Sequence, residues 1–346
     1  MKKPFLTLVI LGAVVVGMPI VFFIAYGYSN NFDVGNALSH LLAAQPEPVE
    51  SNEALVQAQK VNVTWTGDIE ELDLAESSGL ASSLIHPDLL WSINDSGGDA
   101  EIFGLDSRGR TRARMRLTNT ELLDWEALDT FINSEGEATL IIADVGDNFR
   151  WRPYVELIFL QEPSDLALLE AQPEKKLVVR YPDGPRDCEA IAVDTARDRI
   201  LLLSKRHDPP ELYSVPLDAQ GEVRATKVAE LNGFPKPTHR DYYQYPSNAR
   251  YRYMPSGMDV AGDRLLVTTY KPALLFDLAD ISATPVLLPL PHLGQREAIT
   301  FAQGSDNIAY ISRERRDGTG SADLFRVEFS LVGDSPHTVA APQASR

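Results

Sequence analysis

A short triplet recurs five times along this chain, and that repetition restricts the folds open to it more than any other feature. The copies are Ser78-Gly79-Leu80, Glu126-Ala127-Leu128, Glu189-Ala190-Ile191, Ser256-Gly257-Met258 and Glu297-Ala298-Ile299, spaced 48, 63, 67 and 41 residues apart. A second apolar run follows each triplet and ends 14 to 18 residues after its first member, at Asn94, Asp144, Lys205, Tyr270 and Arg313. A third run comes next, at 102–105, 155–160, 212–215, 274–278 and 324–327. Short β-branched and aromatic segments separated by Gly, Pro, Asp and Asn are strand and turn signals. Three or four strands per repeat, at a period of roughly 40 to 50 residues, mark the blades of a β-propeller. A plain β-sandwich has no reason to repeat one triplet five times. The expected fold class is therefore all-β: a β-propeller with five recognisable four-stranded blades, or six if an unrecognised one lies between Pro216 and Ser256.

Outside the repeats the chain divides simply. With 346 residues and 44% apolar composition it can bury a large core. Residues 5–26 are almost wholly apolar and follow Lys2 and Lys3, with Asp33 the first charge beyond them. That length can cross a hydrocarbon core of about 30 Å as a helix. The lysines place the N-terminus in the cytoplasm. The run exceeds a usual signal-peptide core and lacks an Ala-x-Ala ending, which argues for an uncleaved anchor over a cleaved signal. The reading is a single-pass protein of a bacterial inner membrane: 1–31 the stub and anchor helix, 32–60 a periplasmic linker with one short helix near 38–44, 61–330 the propeller, and 331–346 a disordered tail. Within the propeller, Val61–Trp65 and Ile69–Leu74 read as strands ahead of the first triplet. Such a leading strand can complete the last blade and close the ring.

The candidate chemistry follows from blade geometry. Strands one and two of a blade form an antiparallel hairpin, so the start of the first and the end of the second lie at one end of the sheet. First strands line the channel of a propeller, and those ends converge on one mouth. Blade by blade the sequence supplies Glu76, Asn94 and Asp95; Asp124, Glu126, Asp144, Asp147 and Asn148; Arg186, Asp187, Glu189, Lys205, Arg206 and His207; Tyr270 and Lys271; and Arg296, Glu297, Arg313 and Glu314. Grouped carboxylates suit Ca²⁺, which takes six to eight oxygens, and Asp95, Asp124, Asp144, Asp147 and Glu297 are the candidate metal ligands. Bases and rings opposite them, Arg186, Arg206, His207, Tyr270, Lys271 and Arg296, are candidates for holding an anionic ligand.

Other chemistries fare poorly. Cys188 is the lone cysteine and cannot form an internal disulfide; it reads as a small core residue. The six histidines show no zinc spacing. Asn94-Asp95-Ser96-Gly97-Gly98 is a turn rather than a serine-protease motif, since no ordered His and Asp partners accompany it. The stretch 144–148 lacks the Asp-x-Asp-x-Asp-Gly rhythm of an EF-hand. The Tyr- and Arg-rich stretch 240–253 is a channel-capping loop or lid. A formal charge of −17 excludes nucleic acid as its partner.

Ser77-Ser78-Gly79-Leu80, Trp91 to Gly98, Asp124-Trp125-Glu126-Ala127-Leu128, Ala143 to Asn148 and Asp187-Cys188-Glu189-Ala190-Ile191 together resemble the phytase-like, or esterase-like, β-propeller family of bacterial secreted and membrane-anchored proteins. The resemblance spans roughly residues 65–328. It implies a polar, Ca²⁺-binding mouth and hydrolysis of a phosphate or other ester. On that reading Glu126 or Glu189 holds metal or acts as base, while Lys205, Arg206 or Arg313 stabilises developing negative charge. The full set of calcium carboxylates and phosphate-binding bases of true β-propeller phytases is not matched, so phytate itself does not follow. The expected partners are a small anionic ester or a protein ligand, and the membrane through residues 5–26. The alternative is a non-catalytic periplasmic binding or scaffold propeller; a quinone-dependent oxidoreductase lacks any anchoring pattern for its cofactor.

Overall fold

In the computed structural model, residues 60–331 are described except 97, 247, 292–293 and 316–321; outside that span only 47–50, 58 and six positions between 21 and 38 are described. The first strand, β1 (Lys60–Asp68), stands alone in sequence. The first blade follows with β2 (Ser77–Ser82), β3 (Leu89–Asn94), β4 (Glu101–Asp106) and β5 (Thr111–Leu117). The second holds β6 (Trp125–Ile132), β7 (Ala138–Asp144) and β8 (Val155–Gln161), then, after the two-residue β9 (Glu170–Ala171), β10 (Lys175–Arg180). The third is β11 (Cys188–Asp194), β12 (Arg199–Ser204) and β13 (Glu211–Pro216), with β15 (Thr226–Glu230) after a short β14 (Glu222–Arg224). A short α-helix, α1 (His239–Gln244), precedes the fourth blade, β16 (Gly257–Ala261), β17 (Arg264–Thr268), β18 (Ala273–Asp277) and β19 (Val286–Leu288). The fifth is β20 (Arg296–Phe301), β21 (Ile308–Arg313) and β22 (Asp323–Ser330), completed on the outside by β1.

Five sheets, each built on a four-stranded antiparallel meander with its first strand innermost, make a five-bladed propeller. The interval 216–256 holds no sixth blade. It supplies β14, which pairs in parallel with β10 of the second blade, then β15, and then a helical insertion. β9 likewise reaches back to pair with β5 of the first blade. Both connections tie one blade to its predecessor.

The apolar alternation of these strands is two-sided because each sheet is sandwiched between neighbours. One cluster, including Trp91, Ile93, Leu128 and Ile142, fills the gap between blades one and two; others, around Leu202 and Tyr213, around Leu203 and Val267, and around Ile299 and Ile311, fill the next three. The closing gap between blades five and one is filled by two smaller groups. Here the structure corrects one expectation: Ile69–Leu74 is not a strand. Ile69 and Leu74 are buried against Phe103, Leu105 and Ala322, so the segment acts as a plug. The Ile69 amide donates to the Ala322 carbonyl at 2.8 Å, fixing it there.

The apolar run 5–26 falls outside the described residues except at Val21, Ile24 and Ala25, which are helical. No helix among the described residues is long and apolar enough to cross a membrane. The expected helix near 38–44 and the tail 331–346 likewise lie, apart from Leu38 and Leu331, outside them.

At the end of the channel opposite the candidate mouth, side chains latch the inner strands to one another. Asp129 accepts from the Val193 amide at 2.6 Å, and Asp259 from the Phe301 amide at 2.6 Å and the Thr300 hydroxyl at 3.0 Å. Ser82 donates its hydroxyl to the Phe301 carbonyl at 2.6 Å, and Thr130 donates to the Ser82 carbonyl at 2.7 Å. Burial raises both carboxyls, Asp259 to about 6 and Asp129 further, with the Asp259 charge adding to the rise at Asp129.

Two outcomes follow. A chain beginning at Ile69 lacks β1 and exposes β22 as an open edge; it should melt well below a chain beginning at Lys60 and elute as aggregate in size-exclusion chromatography. A carboxyl raised on folding contributes stability that is complete below its unfolded value of 3.8 and lost as pH rises through about 6. Melting temperature followed from pH 4 to pH 7 should therefore fall less steeply in Asp259→Asn than in the parent.

Candidate functional site

The innermost strands carry a shared irregularity. β2, β6, β11 and β20 each contain a β-bulge against the second strand, between Ser77 and Gly79, Trp125 and Ala127, Cys188 and Ala190, and Arg296 and Ala298. The residue left unpaired in each is the first member of the repeated triplet: Ser78, Glu126, Glu189 and Glu297. A bulge re-aims the extra side chain out of the alternation of its strand. β16 pairs without a shift, and Ser256 lies just ahead of it. The two serines are structural, because Ser78 donates to the Trp125 carbonyl and Ser256 to the Arg296 carbonyl, both at 2.6 Å. The three glutamates instead enter one electrostatic cluster.

That cluster also includes the residues that end the inner hairpins. Asp95, Lys205 and Glu314 donate their amides to the carbonyls of Glu76, Asp187 and Gln295, so they hold equivalent positions in blades one, three and five. In blade two Gly146 takes the corresponding bond to Asp124. A Cβ there would lie 2.4 Å from the Asp124 carboxyl and 2.7 Å from Glu126 Oε1. Glycine is required because two carboxylates press against its backbone. Carboxylate oxygens of Asp95, Asp124 and Glu126 all fall within 4.8 Å of one another.

Glu126, Glu189 and Glu297 are buried, as is the one ammonium among them, Lys205. Lys205 Nζ pairs with Glu189 Oε2 at 2.7 Å. Tyr270 donates its hydroxyl to Glu297. The charges do not balance, and the proton affinities register it. Burial, then the charges of Asp95, Asp187 and Glu189, push Asp124 up to about 8. Burial and Glu297 push Glu314 up to about 8, and burial with the Glu189 charge carries Glu297 to about 7 against the pull of Lys205. Burial and Glu189 raise Glu126 well above the carboxylate range. Burial opposes the Lys205 charge, but Glu189, Tyr270, Glu297 and Glu126 outweigh it and hold the ammonium firmly protonated.

The remaining sequence candidates are placed differently. Asp144 forms a buried ion pair with Arg152 at 2.8 Å, and Asp147 accepts from the Trp151 and Arg152 amides at 3.0 and 2.8 Å. Those two carboxylates brace the loop after β7 rather than joining the trio. Arg313 pairs with Asp323, and Arg206 with Asp187 and Asn148. Arg186 pairs with Glu211 at 2.7 Å, and His207, pushed down to about 4 by burial, sits 3.7 Å from the same carboxylate. Cys188 is a core residue whose thiol burial pushes up to about 12.

The insertion before blade four covers blades three to five at this mouth. Thr238 and Asp241 form a reciprocal capping box on α1. Asp241 then accepts from Lys271 Nζ at 2.9 Å and the Tyr253 hydroxyl at 3.1 Å, fastening the insertion to the β17–β18 turn. The Arg206 guanidinium lies 4.7 Å from the centre of the Tyr251 ring. Sequence reasoning placed the basic, aromatic stretch 240–253 at this mouth without singling out Arg252, and it placed Glu314 and Asp187 there without assigning them a role. It also did not foresee that the triplet marks a bulge.

No family model matches the chain, and no curated protein is similar to it. Solved structures that match the chain include a gluconolactonase from Xanthomonas campestris, 13% identical over 83% of this chain and 99% of that one, with a TM-score of 0.43. A luciferin-regenerating enzyme is 8% identical over 79% of this chain and 97% of that one, TM-score 0.42. A chain of a nidogen–laminin complex is 11% identical over 78% and 98%, TM-score 0.41. At these values the likeness bears on neither activity nor residues; the fold rests on the five sheets themselves.

Gly146→Ala should drive Asp124 and Glu126 apart while leaving the blades assembled. The expected readout is an unchanged circular dichroism spectrum with loss of any rise in melting temperature on adding Ca²⁺.

Proposed function

We propose that this chain is a membrane-anchored extracytoplasmic propeller that hydrolyses a phosphoester or other ester at its channel mouth with the help of a bound Ca²⁺, in the manner of the phytase-like family. The observation that carries the reading is the convergence of Asp95, Asp124 and Glu126 within 4.8 Å beside the buried Lys205–Glu189 pair. The donor set fits a hard cation. It is all carboxylate oxygen, Asp95 Oδ1 is buried without a hydrogen-bond partner, and Gly146 leaves the space that the carboxylates occupy. Asp95, Asp124 and Glu126 would hold the ion, which supplies charge neutralisation for the ester.

The chain's own groups cover the remaining steps. Glu189, kept near a permanent cation, takes a proton from the attacking water. Lys205 faces the negative charge that grows on the ester oxygens. Glu314, raised to about 8, retains a proton at neutral pH to give to the departing oxygen. The mouth hydroxyls of Ser78 and Ser256 are committed to backbone carbonyls and Cys188 is buried as a thiol, which favours water over a covalent nucleophile.

Thermal unfolding in EDTA and then in Ca²⁺, alongside phosphomonoester and carboxyl-ester assays, tests the reading. Ca²⁺ should raise the melting temperature by mass action. Glu126→Gln should lose that rise and lower kcat/KM about a hundredfold or more. Binding at the mouth without turnover would identify a binding propeller instead, and the absence of both responses would remove the calcium mouth.

A further inference from the structure

Two arginines at the mouth lack a counter-charge. Arg296 is fully buried and Arg252 is 7% exposed. Arg296 donates one N–H to the Lys271 carbonyl, but its Nε and Nη1 meet no acceptor among the described residues. Arg252 Nε and Nη2 meet none either. The other buried guanidinium among the described residues pairs with a carboxylate, Arg152 with Asp144, as does the half-buried Arg186 with Glu211. A desolvated cation without such a partner is strongly unfavourable. The two also repel one another, and burial together with the Arg252 charge pulls Arg296 down to about 9.

Each guanidinium is held in place from a different element. Arg252, in the insertion, lies 3.8 Å from the centre of the Tyr245 ring, which orients its planar fork. Arg296 opens β20, and its carbonyl is fixed by Ser256 Oγ at 2.6 Å. Asp241 is the one acidic residue of the insertion 239–253, and its oxygens are already taken by Thr238, Lys271 and Tyr253. Nor are these groups open to bulk water. The pairing of buried donors with no protein acceptor is what an oxyanion would complete, since guanidinium forks match carboxylate and phosphate oxygens.

We propose that Arg252 and Arg296 form an oxyanion-binding subsite under the tyrosine-rich insertion, which takes a phosphate or carboxylate group of the ligand at the channel mouth. Two cations favour a doubly charged phosphate over a carboxylate. Arg296 immediately precedes Glu297, so the subsite adjoins the carboxyl cluster. In a chain of formal charge −17 this local pair adds positive potential where an anion would sit. The subsite deepens the hydrolase reading by giving the substrate an anionic anchor, and it rests on that reading only for the bond cleaved.

Isothermal titration of the full chain in EDTA, with inorganic phosphate and separately with acetate, tests the subsite apart from catalysis. Phosphate should bind, and Arg252→Gln and Arg296→Gln should each weaken it about tenfold or more. In phosphate-free buffer both variants should melt no lower than the parent, because each removes an uncompensated buried charge. If Arg296→Gln does not fold, Arg252→Gln, in the insertion, still decides the matter. Tighter binding of acetate than phosphate, lost in the same variants, would assign the subsite to a carboxylate. Failure of both anions to bind, or undiminished phosphate binding in the arginine variants, would overturn the proposal. Because the titration is run in EDTA and reads no turnover, a failure of the hydrolase reading and a failure of the anion subsite are separable.

Discussion

Everything distinctive about this propeller depends on carboxyl groups being forced together at one mouth. The backbone does the forcing. Bulges at Glu126, Glu189 and Glu297 remove these residues from the ladder of their strands, and the hairpin ends bring Asp95 and Glu314 alongside. Left to themselves, like charges at this separation stay protonated or recruit a cation. Lys205 answers only part of the demand, because its closest pairing is with Glu189 alone. The rest of the mouth is accordingly poised between protons and an external positive charge. Gly146 marks how tightly the arrangement is drawn, since even one methyl group would collide with it.

Such a cluster survives because stability is invested elsewhere. The blades adhere through apolar clusters that run between neighbouring sheets, with Leu201, Leu202, Leu203 and Ile142 fully buried in them. Truncating any one of these to alanine typically costs about 2–5 kcal/mol. The far end of the channel is latched by Asp129, Asp259, Ser82 and Thr130, whose bonds cross from one inner strand to the next. Closure comes from β1 pairing with β22 and from the Ile69–Leu74 plug. The near end is thereby released from holding the ring together.

The fold was legible because a propeller repeats, and the triplet Glu126-Ala127-Leu128 with its four cousins recurs wherever a blade begins. The leading strand and the five blade positions follow directly. The plug was not legible: Ile69 and Leu74 have strand-like composition, and only the small size of the closing interface explains why they fill a wedge instead. Convergence at the mouth could be reasoned from hairpin geometry, which is why Asp95, Asp124, Glu126, Glu189 and Glu297 were reachable. Separating them from Asp144 and Asp147 was not, since the latter are spent on Arg152 and on the backbone amides of Trp151 and Arg152. Arg252 lay in the basic, aromatic stretch read as a lid but did not stand out there, because a partnerless arginine becomes visible only when its surroundings are known.

Blade four breaks the pattern, and the break gives the mouth a direction. Its inner strand has no bulge and no carboxylate at the triplet; Gly257 instead lets it pack so closely on blade five that a Cβ would lie 2.9 Å from the Glu297 carbonyl oxygen. The insertion 239–253 arises at this blade, and its Arg252 joins Arg296 and Lys271 where other blades bring acids. Asp95, Asp124 and Glu126 come from blades one and two. The mouth is therefore richest in acids at blades one and two and richest in bases and rings under the insertion, with Glu297 and Glu314 of blade five between. A ligand that is merely anionic would be repelled by half of it, and a bare cation by the other half. A molecule presenting an anion together with a coordinated cation satisfies both sides at once, and the polarity of the mouth fixes which end of it faces which blade.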